Sequence, residues 1–278
     1  MKIALCFSGQ IRTGALSAPN ILRYIGDLLP DCDIFVHTWD TETKGTGYAN
    51  RVGEGLRSTQ EEWHDAKPVE NSTVFDQFAE IMKPKRMVIE EYDLEPTKKL
   101  WGGRRFCTET GKWYVSMWYS VFKANQLKME YAAQNGVFYD YTIRIRPDIV
   151  FGPEKSLAED LELIENDSTL VFGDHYHIWD FDGRQRCEDI FFIGSSRVMD
   201  HITCYHECYT NTVSNIDDPS LPGYEDWQWH FCKWVRDKLG FDIKPLADNT
   251  MRIYCQVDAD TGVDPMDPKF GSPPGKMH

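Results

Sequence analysis

The chain has 278 residues, of which 41% are hydrophobic and 27% charged, a composition that suits a soluble globular protein built as one large domain or a domain plus a subdomain. Its 30 Lys and Arg against 44 Asp and Glu leave a formal charge of −14. Such a surface repels phosphate backbones and argues against a nucleic-acid partner, so any anionic ligand must be met by a local basic cluster.

Lys2 to Phe7 reads as a buried first strand that stops at Ser8-Gly9-Gln10. Ala15 to Leu29 carries apolar residues at helical spacing, and Asp33 to Trp39 (DIFVHTW) is a second strand, apolar in its middle. Strand, helix, strand over this distance predicts a parallel sheet. Thr41 to Asn71 is polar and Gly-rich and is expected to be a long functional loop. A short helix over Val74 to Met82, a strand over Arg86 to Tyr92 and a second loop over Leu94 to Lys112 follow. Lys112 to Gln134 gives the strongest helical stripe, ended by Asn135-Gly136; Asn125 falls on the stripe and needs an inward partner. Tyr139 to Phe151 (YDYTIRIRPDIVF) is the central strand and its exit. Leu157 to Ile164 is predicted helical, Thr169 to Phe172 and Asp189 to Ile193 extended. Arg197 to Asn211 and Glu225 to Leu239 are predicted helices, and Phe241 to Leu246 a last strand. The tail after Val257 is rich in Asp, Pro and Gly and is expected to be irregular.

No run is long enough to cross a bilayer, and MKIALCFSGQIRT is too short in apolar residues for a secretory signal. The eight cysteines form no C-x-x-C pair, so reduced thiols and a cytoplasmic location are expected. P-loop, G-x-S-x-G, H-E-x-x-H and G-x-G-x-x-G motifs are absent, which disfavours the commoner hydrolases, kinases and dehydrogenases.

Four constellations carry chemistry. Ser8, Gly9, Gln10 and Arg12 sit at the carboxyl end of the first strand, where open α/β sheets bind ligands; Gly9 allows close backbone approach and Arg12 a fork onto phosphate. The alternative is an ordinary turn with a surface arginine. Arg144, Arg146 and Asp148 share one strand face by alternation. Two guanidinium groups there must meet anions, either a ligand or a structural network through Asp140, Glu90 or Glu91. Asp148 suits a divalent cation carrying a diphosphate, or a sugar hydroxyl. Glu225 and Asp226 open a helix, a position that capping alone favours for an acid. Asp174, His175, His177, Asp180, Asp182, Arg184, Arg186, Glu188 and Asp189 form a polar loop whose spacing matches no zinc pattern. His201, Cys204 and Cys208 invite a metal reading too, against a buried helix stripe. The aromatic share of 13% suits a Trp-rich core or a cleft meeting the C–H faces of sugars.

ALCFSGQIRT, DIFVHTWD, MWYSVFKANQLK, YDYTIRIRPDIVF and EDIFFIGSS, in that order, resemble a group of glycosyltransferases found in bacterial surface-polysaccharide clusters and in large viruses and phages. The resemblance spans about Met1 to Ser196. It implies a GT-A-like fold, with a mainly parallel sheet flanked by helices over residues 1–256 and an irregular tail over 257–278. It also implies a nucleoside-diphosphate sugar donor held by Ser8, Gly9, Gln10 and Arg12, with Arg144 and Arg146 neutralising the diphosphate. Asp148 would take the place of the Asp-x-Asp metal motif, holding Mn²⁺ or Mg²⁺. The sequence departs from that motif, since Arg146 stands where the first acid belongs. Glu225 or Asp226 would be the base that takes the acceptor hydroxyl's proton, and the loop Thr41 to Asn71 would shut out water. The acceptor would be a glycan or other hydroxyl, and a viral member would work in the host cytoplasm. Two other classes fit the same residues: a non-catalytic glycan or nucleotide-sugar binder, and a sulfo- or phosphotransferase acting on glycans.

Overall fold

Continuous apolar runs with no polar alternation mark strands covered on both faces, and Ile3–Ser8 is buried at all six positions. The computed structural model describes residues 1–42, 67–68, 73–92, 109–173, 190–205, 227–246 and 251–253. The first half of the chain runs β1 (Ile3–Ser8), α1 (Gly14–Ile25), a 3₁₀ turn (Gly26–Asp31), β2 (Cys32–Trp39), β3 (Thr41–Glu42), β4 (Lys67–Pro68), α2 (Thr73–Met82), β5 (Arg86–Glu90) and α3 (Glu109–Asn135). The second half runs β6 (Tyr141–Ile145), β7 (Ile149–Phe151), α4 (Leu157–Leu161), β8 (Thr169–Phe172), β9 (Phe191–Ser195), α5 (Ser196–Thr203), α6 (Trp227–Asp237), β10 (Asp242–Pro245) and β11 (Met251–Ile253).

Seven strands form one sheet in the order β10-β8-β9-β6-β1-β2-β5. β1 is parallel to β2 and β6, β2 to β5, and β8 to β10. β9 is antiparallel to both β6 and β8, so it alone in this sheet is reversed. This is the mainly parallel α/β sheet flanked by helices that the pattern predicts. Alternation sends Ile3, Leu5, Phe7, Ile34, Val36, Ile143 and Ile145 to the α1 face, against Phe75 and Phe78. Ala4, Cys6 and Phe35 point to the other face, against Ala124 of α3. Farther along that face Trp118 of α3 packs with Phe172, Phe192, Phe231 and Ile202. No helix among the described residues is long and apolar enough to cross a membrane.

Several boundaries differ from expectation. α1 ends at Ile25 rather than Leu29, because Gly26 turns left-handed at φ 56° and Pro30 sits in the 3₁₀ turn that follows. The central strand is two strands, β6 and β7: Pro147 has no N–H for the ladder, and β7 leaves to pair antiparallel with β11. β9 starts two residues later than expected, in register with Ile145. α5 ends at Thr203, and residues 206–211 of the expected helix lie outside the described residues. So do most of the loop expected over Thr41 to Asn71, where β3 and β4 pair, and the tail after Val257. Gly136 takes the expected left-handed φ, 64°, after α3.

β7 is latched to α1 by a side chain acting as a strand. The Asn20 amide donates to Phe151 O at 3.0 Å and accepts from Phe151 N–H at 2.7 Å. Ser17 donates to Pro147 O at 2.5 Å, so the whole Arg146-Pro147-Asp148 exit is held against α1. Asn20 is 2% exposed. Asn20→Ala strands the buried Phe151 N–H, while Phe151 O keeps its bond from Arg23 Nη2 at 2.9 Å; the loss costs about 1–3 kcal/mol in urea unfolding, and one below about 0.5 kcal/mol contradicts the latch.

Candidate functional site

β1 and β6 are neighbours, yet the chain leaves them in opposite directions. From β1 it passes through α1 to β2; from β6 it goes on to β8 and β9. Such a switch point is where open α/β sheets bind ligands, outside the carboxyl ends of the strands. The register pairs Phe7 with Ile145. The next residue on each strand, Ser8 and Arg146, therefore stands at this edge.

The predicted residues of the two strand ends come together there. Arg146 forks onto Asp148, Nε to Oδ1 at 2.9 Å and Nη2 to Oδ2 at 2.8 Å. Arg12 reaches the same carboxylate from the β1 side, Nη1 to Oδ2 at 3.3 Å, while its Nε donates to Gln10 at 3.0 Å. Arg144, 1% exposed, donates from Nε to Ser8 Oγ at 2.9 Å. The backbone is bent to suit: Gly9 has φ 110° and Arg12 φ 46°, both in the left-handed range. Asp140, one alternative partner for the arginines, instead accepts from the Lys2 backbone N–H.

Asp148 is buried, at 1% exposure, while Arg12 and Arg146 keep 27% and 20% of their side-chain surface. The carboxylate is thus sealed, while both arginine side chains keep part of their surface open. Burial pushes the Asp148 carboxyl up, but Arg146 and Arg12 outweigh it and hold the group below its usual value. The cluster carries net positive charge in a chain of −14.

The donor set does not fit the divalent cation implied for Asp148. Both carboxylate oxygens already accept from guanidinium groups, and Mg²⁺ or Mn²⁺ would have to displace them and lie against two positive charges. Among the described residues no group of three His, Cys, Asp or Glu is placed to hold a metal ion. Cys204 Sγ donates to Asp200 O at 3.2 Å, and the His201 ring lies 5.9 Å from that of Phe241. Glu225, Asp226, Cys208 and the loop from Asp174 to Asp189 lie outside the described residues.

Sequence reasoning missed a second cluster at the same edge. Ser120 of α3 accepts from Gly9 N–H at 2.8 Å and meets His37 Nδ1 at 2.9 Å. His37 Nε2 lies 3.5 Å from Glu90, which also accepts from Tyr119 OH at 3.0 Å. The signal was two polar residues, His37 and Ser120, at fully buried positions of otherwise apolar elements. Asn125 does find its inward partner, Asp200, at 3.0 Å.

No family model and no curated protein matches the chain. Among solved structures it is similar to the apo-form glycosyltransferase GlyE of Streptococcus pneumoniae TIGR4, with 8% identity and a TM-score of 0.39. The match covers 89% of this chain and 45% of that one, so the chain spans less than half the length of that protein.

Burial lowers the His37 imidazole to about 4 from 6.5; Glu90 pulls it up and is outweighed. The unfolded chain then binds more protons than the folded one between those values. His37 contributes stability fully above pH 6.5 and loses it as pH falls toward 4, a swing of about 3 kcal/mol. Asp160, raised by burial, contributes with the opposite sign and is common to any His37 variant. His37→Gln flattens the pH dependence of urea stability in this window; an unchanged slope contradicts the assignment.

Proposed function

We propose that the chain is a glycosyltransferase of the GT-A type, moving a sugar from a nucleoside-diphosphate sugar to a hydroxyl of a glycan or other acceptor. Synthesis of a surface polysaccharide or a glycoprotein glycan is the setting that the sequence resemblance supports. The observation that carries the reading is the convergence of Arg12 and Arg146 on buried Asp148 at the switch point of the sheet. A diphosphate leaving group develops negative charge as the anomeric C–O bond breaks and its electron pair passes to the phosphate oxygen. Guanidinium groups fixed before that moment stabilise the charge without reorganising. The first turn of α1 lies on the same side of the sheet and adds its positive end.

In this reading Asp148 is a positioning residue and the arginines supply the positive charge, so the donor binds without a divalent cation. Ser8, Gly9 and Gln10 form the floor beside the diphosphate, with Arg144 fixed behind Ser8. On sequence grounds, Glu225 or Asp226 takes the proton of the acceptor hydroxyl as it attacks.

Calorimetry and thermal shift with nucleoside diphosphates, nucleoside-diphosphate sugars and a sulfonucleotide test this. Nucleoside diphosphates raise the melting temperature, and EDTA leaves their affinity unchanged. Arg146→Ala weakens that affinity by about 10- to 100-fold. Stabilisation by the sulfonucleotide alone overturns the donor class. Asp226→Asn, or Glu225→Asn, keeps donor affinity and lowers transfer by about 10²- to 10⁴-fold. A wild type that binds donor and transfers nothing to any hydroxyl acceptor is a binding protein instead.

A further inference from the structure

Between the sheet and α3 lies a chain of polar groups for which the transfer chemistry has no use. Gly9 N–H donates to Ser120 Oγ at 2.8 Å; Ser120 Oγ lies 2.9 Å from His37 Nδ1 and 3.2 Å from His37 O. His37 Nε2 is 3.5 Å from Glu90 Oε2, and Glu90 is itself fixed by Tyr119 OH at 3.0 Å and Lys123 Nζ at 3.5 Å. Serine, imidazole and carboxylate follow one another as in a hydrolase triad. Ser120 and His37 are each 0% exposed, however, and the Ser120 oxygen already accepts the Gly9 amide. A nucleophile needs an approach for its substrate, and this one has none.

We propose that Ser120, His37 and Glu90 form a positioning relay that sets the Ser8-Gly9-Gln10 turn for the diphosphate, an inference that rests on the donor reading above. Gly9 stands at φ 110°, a conformation without a side chain to anchor it and costly in backbone entropy. Something outside the turn must hold it. Ser8 is in register with His37 across β1 and β2. Ser120 therefore bridges two adjacent strands, meeting Gly9 N–H just past the end of β1 and His37 within β2.

The protonation states make the relay self-consistent. With His37 neutral, the Glu90 carboxylate favours the proton on Nε2. Nδ1 and His37 O then both face the one Ser120 hydroxyl proton, at 2.9 and 3.2 Å, leaving the serine lone pairs to the Gly9 amide. The last link, from His37 Nε2 to Glu90 Oε2 at 3.5 Å, is an electrostatic contact rather than a hydrogen bond. The turn so fixed contains Gln10 and precedes Arg12, which donates to Gln10 and to Asp148.

The test uses the full chain with Ser120→Ala and, as a control, Ile202→Val, which loosens the core on the far part of the α3 face. Gly9 amide exchange, followed by NMR, accelerates about 100-fold in Ser120→Ala. Affinity for a nucleoside diphosphate falls about 10-fold, and Ile202→Val changes neither. Ser120→Cys keeps the volume with a weaker acceptor and shifts both readouts the same way by less. Gly9 exchange as slow in Ser120→Ala as in the wild type overturns the relay, and so does faster exchange with unchanged affinity. A wild type that takes up no nucleoside diphosphate sinks the donor reading, while the Gly9 exchange rate still decides whether Ser120 holds the turn.

Discussion

One buried carboxylate, Asp148, holds two guanidinium groups at the carboxyl edge of the sheet. Taking such charges out of water is costly, and the attraction repays it only when the remaining hydrogen-bonding positions are filled. Both oxygens of Asp148 are filled by N–H donors. Arg146 spans two residues to reach it, whereas Arg12 comes from 136 residues away. The ion pair therefore joins the end of β1 to the exit from β6, and the site exists only once both strands are in place.

The surrounding structure holds Asp148 where this can happen. Pro147 ends the β6 ladder and turns the chain, and α1 takes up the turned segment through Ser17 and Asn20. Gly14, at the start of α1, comes so near Pro147 that a Cβ there would stand 3.0 Å from its ring. On the other face α3 brings Ser120 against Gly9 and Asn125 against Asp200. The α1 face of the sheet centre is thus apolar, while the α3 face mixes apolar packing with polar contacts, of which Ser120 to Gly9 lies at the site. A switch point between β1 and β6 gives both layers one place to converge.

Much of this was legible in the sequence, and the limits have physical causes. Strand alternation put Arg144, Arg146 and Asp148 on one face, but β6 ends at Ile145, so only Arg144 of the three lies on the strand; the β1 turn, Gly9 included, was marked by its residue types. The carboxylate that ties Arg12 to Arg146 was among the candidates, but as a ligand for a cation or a sugar hydroxyl rather than an anchor for arginines. Spacing gives the face a residue occupies and says nothing about partners more than a hundred residues away. His37 was lost for a related reason: within DIFVHTW it is one polar residue in an apolar run, and what makes it notable is Ser120, 83 residues on. The end of α1 was misplaced because Gly26 competes with a helical stripe that continues past it through Leu28 and Leu29. Glu225 and Asp226 rest on sequence grounds alone.

The central claim is that a diphosphate is gripped by Arg12 and Arg146 while Asp148 stays between them. A crystal structure of the chain with a bound nucleoside diphosphate, grown in the presence of Mn²⁺, measures this directly. The account predicts phosphate oxygens at about 3 Å from guanidinium nitrogens of both arginines, with Asp148 still paired to them and no ion on its oxygens. A diphosphate seated elsewhere, or one held through a cation that has taken Asp148 from the arginines, would contradict it.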